Sequence, residues 1–140
     1  MTPQQKTDVQ RTWKLVLPVA DAAAAMFYRR LFEIDESTAA LFRETDMTKQ
    51  RHKLLMVLST VVSGLDQLDR LLPLVRELGR RHAGYGVTPT HYESVGRSLL
   101  ATLEQGLGEA WTPAVARAWA CAYTIVAHEM RVGAAQAEAA

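Results

Sequence analysis

The chain has little cysteine, almost no excess of charge of either sign and no long apolar run. Its one cysteine, Cys121, leaves no intrachain disulfide and no thiolate metal site to build. Such sparing use suits a reducing cytoplasm, the expected location. Sixteen basic and fifteen acidic side chains leave a net charge of +1. That is too small an excess to drive binding to nucleic acid or to an anionic membrane surface through counterion release, so neither is expected as a partner. The N-terminus, Met1 to Lys6, is polar, with neither the apolar core of a secretory signal nor a bilayer-spanning run. Strict apolar–polar alternation and Asn-Gly or Asp-Gly turns are missing too, which argues against β-hairpins.

What remains is helical. Of the 140 residues, 49% are hydrophobic and 22% charged, the balance of one globular domain spanning residues 1–140. Apolar residues recur at helical spacing almost throughout. The first helix runs from about Gln4 to Leu17, where Pro18 interrupts it. The second covers about Asp21 to Ile34 and turns Met26, Phe27, Leu31 and Ile34 inward. A short helix from about Ser37 to Phe42 and a polar connection, Arg43 to Asp46, follow. The helix from about Met47 to Leu65 carries Leu54, Leu58, Val61 and Leu65 on one face. The next runs from Leu68 to about Ala83, broken by Pro73 and closed by Gly84 and Gly86. Thr88-Pro89 and Thr112-Pro113 each pair an N-cap with proline at the first helical position. They open helices to about Leu107 and about Gly133, beyond which Ala134 to Ala140 is expected to fray. Seven or eight unequal helices suit an all-α arrangement around a pocket better than a simple four-helix bundle.

Of the four histidines, His82 stands apart. Leu71, Leu74, Val75 and Leu78 form an apolar stripe, and His82 continues it one turn further. An imidazole aimed into a dry interior needs a partner. Metal coordination is one solution, and the Leu78 carbonyl could accept the other ring proton and fix the tautomer. An ordinary hydrogen-bonded core histidine is the alternative. No second histidine or carboxylate stands at ligand spacing, so a zinc site is poorly supported. A single-histidine site points to a group that brings most of its own coordination, as haem does. His91 and His128 are expected at the surface.

The runs Phe27-Tyr28-Arg29-Arg30-Leu31-Phe32, Leu41-Phe42, Gln50-Arg51-His52-Lys53-Leu54 and Leu78-Gly79-Arg80-Arg81-His82-Ala83-Gly84-Tyr85-Gly86-Val87 follow one another in this order. His91-Tyr92-Glu93-Ser94-Val95-Gly96, Leu99-Leu100, Ala118-Trp119 and Tyr123 continue the series. In order and spacing the chain resembles the bacterial single-domain globins and the haem domains of flavohaemoglobins, from about Lys6 to Met130. The resemblance implies a globin fold enclosing haem b, with His82 as proximal iron ligand and Phe42 stacked on the porphyrin. It implies Tyr28 and Gln50 as distal donors, Leu54 as an apolar gate, and Val87 and Val95 as pocket walls. Tyr92 would stand near His82 or simply pack. Lys53, Arg80 and Arg81 are candidates to pair with haem propionates or are ordinary surface charges. Phe42 would also serve as plain core packing, Tyr28 as a buried tyrosine bonded to a carbonyl, and Gln50 as a solvent-facing side chain. His52 lies about 200° around its helix from Gln50 and faces away unless the helix shifts. The glutamate that flavohaemoglobins place near Tyr92 falls here at about Ala135, which weakens a peroxidase-like reading.

The implied function is reversible binding of oxygen, nitric oxide or carbon monoxide, for storage, delivery or sensing. The alternative is nitric oxide dioxygenation with a separate reductase.

Overall fold

The computed structural model describes residues 1–139, with side chains through Gln136. Among these residues there are seven α-helices and no strand. Helix α1 spans Pro3–Val16, α2 Ala20–Ile34, α3 Glu36–Ala40, α4 Met47–Gly64, α5 Leu68–Gly84, α6 Pro89–Leu107 and α7 Pro113–Ala139. Short 3-10 turns at Leu17–Val19, Leu65–Gln67 and Gly108–Ala110 join α1 to α2, α4 to α5 and α6 to α7.

Local chemistry sets the helix starts. Thr2 and Gln5 close a capping box around Pro3. The Asp35 carboxylate accepts the Ser37 N–H ahead of α3, and Asp46 accepts those of Thr48 and Lys49 ahead of α4. Thr112 accepts the Val115 N–H to open α7. Gly108, at φ +54°, ends α6 in a conformation that favours glycine.

The core lies where α1, α2, α6 and α7 meet. Trp13 and Trp119 stand 6.2 Å apart. The Trp119 indole donates to Thr12 and that of Trp13 to Ser59, so both buried donors are satisfied. Ser98 on α6 donates to the Phe27 carbonyl on α2 at 2.7 Å, a bond between neighbouring helices. A smaller cluster of Leu71, Val75, Tyr92, Ala127 and Met130 joins α5 to α6 and α7. There α5 and α7 approach until their backbones touch. A Cβ on Gly79 would collide with the Met130 carbonyl, and one on Gly133 with that of Arg76.

Several sequence expectations change. Helix α7 does not stop at Gly133: it continues through Ala139, while Ala140 lies outside the described residues. Gly133 is a spacer at a helix crossing rather than a terminator, and the Ala-rich stretch after it favours helix. Pro73 does not break α5. It falls in the second turn and costs one bond to the carbonyl of Asp69, where both residues face solvent. The inward residues of α2 are Ala24, Phe27, Tyr28 and Leu31, with Met26 and Ile34 only half-buried. Leu74, expected on the stripe of α5, is 62% exposed. It stands at the edge of an arc centred on Leu71, Leu78 and Val75.

Candidate functional site

The site residues divide between the two apolar clusters. Tyr28, Phe42, Leu54 and Val95 belong with the larger one, and Leu78, Val87 and Tyr92 with the smaller. Val61, Leu68 and Tyr123 pack against both.

On the first side, Tyr28 is buried in an aromatic nest. Its ring meets Phe27 edge-on at 5.0 Å and Phe42 edge-on at 5.4 Å, with Phe32 at 6.1 Å. Gln50, in the first turn of α4, donates from Nε2 to the Tyr28 hydroxyl oxygen at 3.1 Å. Burial raises the phenol pKa, opposed by the Gln50 bond, so the hydroxyl keeps its proton at neutral pH. Because the oxygen accepts from Gln50, the phenolic proton is free to be donated elsewhere. The two groups are therefore arranged in series, one donating to the other, rather than as two independent donors. Leu54 follows Gln50 by one turn and lines an apolar cavity of about 20 Å3 with Trp13, Phe27, Leu58 and Leu99.

On the second side, His82 is half-buried in the last turn of α5. Its Nδ1 donates to the Leu78 carbonyl at 2.8 Å, the bond expected from the spacing. Burial lowers the imidazole pKa against the raising effect of that bond, so the ring is held neutral. With the proton on Nδ1, Nε2 carries a lone pair, and no described residue hydrogen-bonds it. The backbone N–H groups of Tyr85 and Val87 donate to the His82 carbonyl and turn the chain after α5. Among the described residues no three His, Cys, Asp or Glu side chains cluster as a metal-binding group.

Tyr92 is buried and makes no hydrogen bond to His82. Its carbonyl accepts the Tyr123 hydroxyl, and the Arg131 guanidinium lies 5.2 Å above its ring. Burial raises the pKa of both phenols. Ala135 is exposed and carries no carboxylate, and the charged group at the Tyr92 ring is the Arg131 guanidinium. Lys53 and His52 are exposed. Arg80 and Arg81 are exposed and pair with Glu77 at 3.2 and 3.6 Å, as surface ion pairs of small energy. His128 is exposed as expected.

His91, expected at the surface, is 8% exposed. Its Nδ1 accepts the Thr88 N–H and its Nε2 meets Ser37, which donates to Asp35. The sequence carried one signal for this. Thr88 and His91 have the spacing of a capping box, with histidine in the place usually held by Glu or Gln.

The globin family profile matches residues 25–130, and the chain belongs to the globin family. Among its relatives, a flavohemoprotein of Bacillus subtilis (strain 168) is 34% identical over 103 residues. That match covers 72% of this chain but only 26% of the relative, so the chain spans about a quarter of that protein's length. A neuroglobin of Tetraodon nigroviridis is 32% identical over 121 residues, covering 77% of this chain and 76% of the relative. In three dimensions the chain superimposes on a hexacoordinated heme protein from an anhydrobiotic tardigrade with a TM-score of 0.84. That match covers 96% of this chain and 95% of the other at 18% identity, a likeness of fold alone.

Proposed function

We propose that residues 1–140 form one globin unit that carries haem b on His82 and reversibly binds a diatomic gas beside Tyr28. The observation that carries this reading is the His82 imidazole, neutral, tied at Nδ1 and free at Nε2 among apolar side chains. A ligand histidine needs this arrangement, and the bond to Leu78 fixes its tautomer. The partly covered apolar face of α4 suits an apolar group. Helix α4 carries Leu54, Leu55, Leu58 and Val61, yet Val62 is its only fully buried residue. It also touches α5 little. Apolar faces left half-covered in this way are surface that a porphyrin would take out of water.

Haem would supply an iron with one coordination position open to a gas, and the flavohemoprotein and neuroglobin relatives favour this cofactor. In this reading Phe42 packs on the porphyrin, and Val87, Tyr92 and Val95 complete the walls. Lys53, exposed on α4, would be a candidate to pair with a propionate. Tyr28 would donate a hydrogen bond to the gas molecule while Gln50 orients the Tyr28 oxygen. Leu54 excludes water. Oxygen gains most, because it draws the most negative charge when held beside a donor. The free thiol of Cys121 suits a cytoplasmic setting.

Titration of the purified chain with haemin tests the assignment. Wild type is expected to develop a Soret band and stable oxygenated and carbonyl spectra. His82→Gly is expected to lose the five-coordinate ferrous spectrum and to regain it with added imidazole. A wild type without a Soret band, or a His82→Gly spectrum like wild type, overturns the proposal. The likeness to flavohemoproteins favours a second use of the same site, nitric oxide dioxygenation supported by a separate reductase. Rapid mixing of the oxygenated protein with nitric oxide, followed by a search for re-reduction, decides between storage and turnover.

A further inference from the structure

His91 occupies the third position of α6 and is almost fully buried, at 8% exposure. Every bond around it has a direction. Nδ1 accepts the Thr88 N–H at 2.9 Å, so it bears no proton. The proton of the neutral ring is therefore on Nε2, which donates to Ser37 Oγ at 3.0 Å. Ser37 Oγ donates to Asp35 Oδ1 at 2.6 Å, and Ser94 Oγ donates to Asp35 Oδ2 at 2.9 Å. The same residue types build hydrolytic triads, but the direction here is opposite. Nε2 already carries a proton, so His91 cannot act as a base toward Ser37.

This chain of bonds has two ends. One is the corner between α2 and α3, just before Phe42. The other is Thr88, the last residue of the segment that leaves His82. The near end of that segment is fixed on the His82 carbonyl through the N–H groups of Tyr85 and Val87. Between them Gly86 turns the backbone at φ +89° beside Leu41. The far end is held by the ring of His91.

We infer that His91 is a positioning residue: through Ser37 and Asp35 it straps the segment after His82 to the α2–α3 corner. The part of this inference that concerns the presentation of His82 to iron rests on the haem reading above. Both ring nitrogens are engaged, Nδ1 by the Thr88 N–H and Nε2 by Ser37. An amide side chain at this position offers an acceptor and a donor, whereas an aliphatic one offers neither and opens the strap at Thr88.

The test follows the Thr88 amide by NMR hydrogen exchange and the iron–histidine stretch of the ferrous protein by resonance Raman, in wild type, His91→Gln and His91→Leu under one set of conditions. His91→Leu is expected to lower the Thr88 protection factor about fivefold, the effect of one lost hydrogen bond, and to shift the stretch. His91→Gln keeps a capping-box acceptor, so both readouts should stay near those of wild type. Thr88 protection in His91→Leu equal to that of wild type overturns the inference, as does a His91→Gln protein that behaves like His91→Leu. A stretch that stays fixed while Thr88 protection changes overturns the positioning role. The exchange measurement is independent of haem, so failure of the haem reading shows up separately as a missing Soret band.

Discussion

At the scale of single residues, the direction of a hydrogen bond decides what a side chain can do. Gln50 donates to Tyr28, which frees the phenolic proton. Tyr28→Phe removes that proton and leaves the Gln50 amide facing a ring edge. Oxygen dissociation is expected to quicken by about tenfold, the equivalent of one hydrogen bond of about 1.4 kcal/mol in a dry pocket. Stopped-flow displacement of oxygen by carbon monoxide checks this, and an unchanged rate would remove Tyr28 from the gas site. Asp35 illustrates the sign of a titration. The Ser37 hydroxyl first, then that of Ser94, hold its carboxyl below the ordinary carboxylate range, against desolvation. A pKa lowered on folding adds stability above the ordinary value, and that stability is lost as pH falls through the lowered one. Asp35→Asn keeps a good N-cap but cannot titrate. Its urea midpoint is therefore expected to fall less steeply than that of wild type between about pH 5 and pH 3. A parallel acid loss in both proteins would show that Asp35 contributes nothing there.

At the scale of elements, one substitution should have opposite signs at different glycines. Gly79→Ala and Gly133→Ala each push a methyl into a carbonyl across the crossing of α5 and α7. Each is expected to cost about 1–3 kcal/mol or more, because backbone atoms cannot rotate aside. Gly106 lies inside α6 with nothing within 4 Å of a Cβ. Gly106→Ala is expected to add about 0.5–1 kcal/mol through helix propensity. Denaturant midpoints of the three variants compare them directly, and equal shifts would refute the crossing. The same glycines show how far the elements could be read from sequence. Thr88-Pro89 and Thr112-Pro113 gave the starts of α6 and α7 because capping chemistry is local. Whether Gly133 ends a helix or lets another helix approach depends on Arg76, far away in the chain, and no local pattern records that. His91 escaped for a similar reason, since its burial depends on Ser37 and Asp35 arriving from another corner. His82 was legible because its partner, the Leu78 carbonyl, is one turn away on its own helix.

At the scale of the whole molecule, burial is uneven, and this sets what the proposed haem does for stability. Helices α1, α2, α6 and α7 share a core containing Val9, Trp13, Phe27, Leu103, Val115 and Trp119. Helix α5 is clamped to α7 at Gly79 and Gly133. Helix α4 is covered less: Val62 alone is fully buried, Leu54, Leu55, Leu58 and Val61 pack half-buried against the core, and Met56 is 70% exposed. Its hydrogen bonds to other helices are the bond from Trp13 to Ser59, that from Gln10 to the Val62 carbonyl, and the Gln50–Tyr28 pair. Long helices in water depend on packing of their apolar face rather than on propensity. A ligand that binds only the folded chain, at about 100 times its dissociation constant, adds about 2.7 kcal/mol. Haem removal is therefore expected to lower the melting temperature by roughly 5–15 °C for a chain of this size. The loss should not be shared equally. Amide exchange in the haem-free protein is expected to accelerate first along Gln50 to Val61, while α1 and α7 around Trp13 and Trp119 stay protected. Uniform acceleration across all helices would mean that α4 draws its stability from the common core, and that its half-covered face is not where the haem binds.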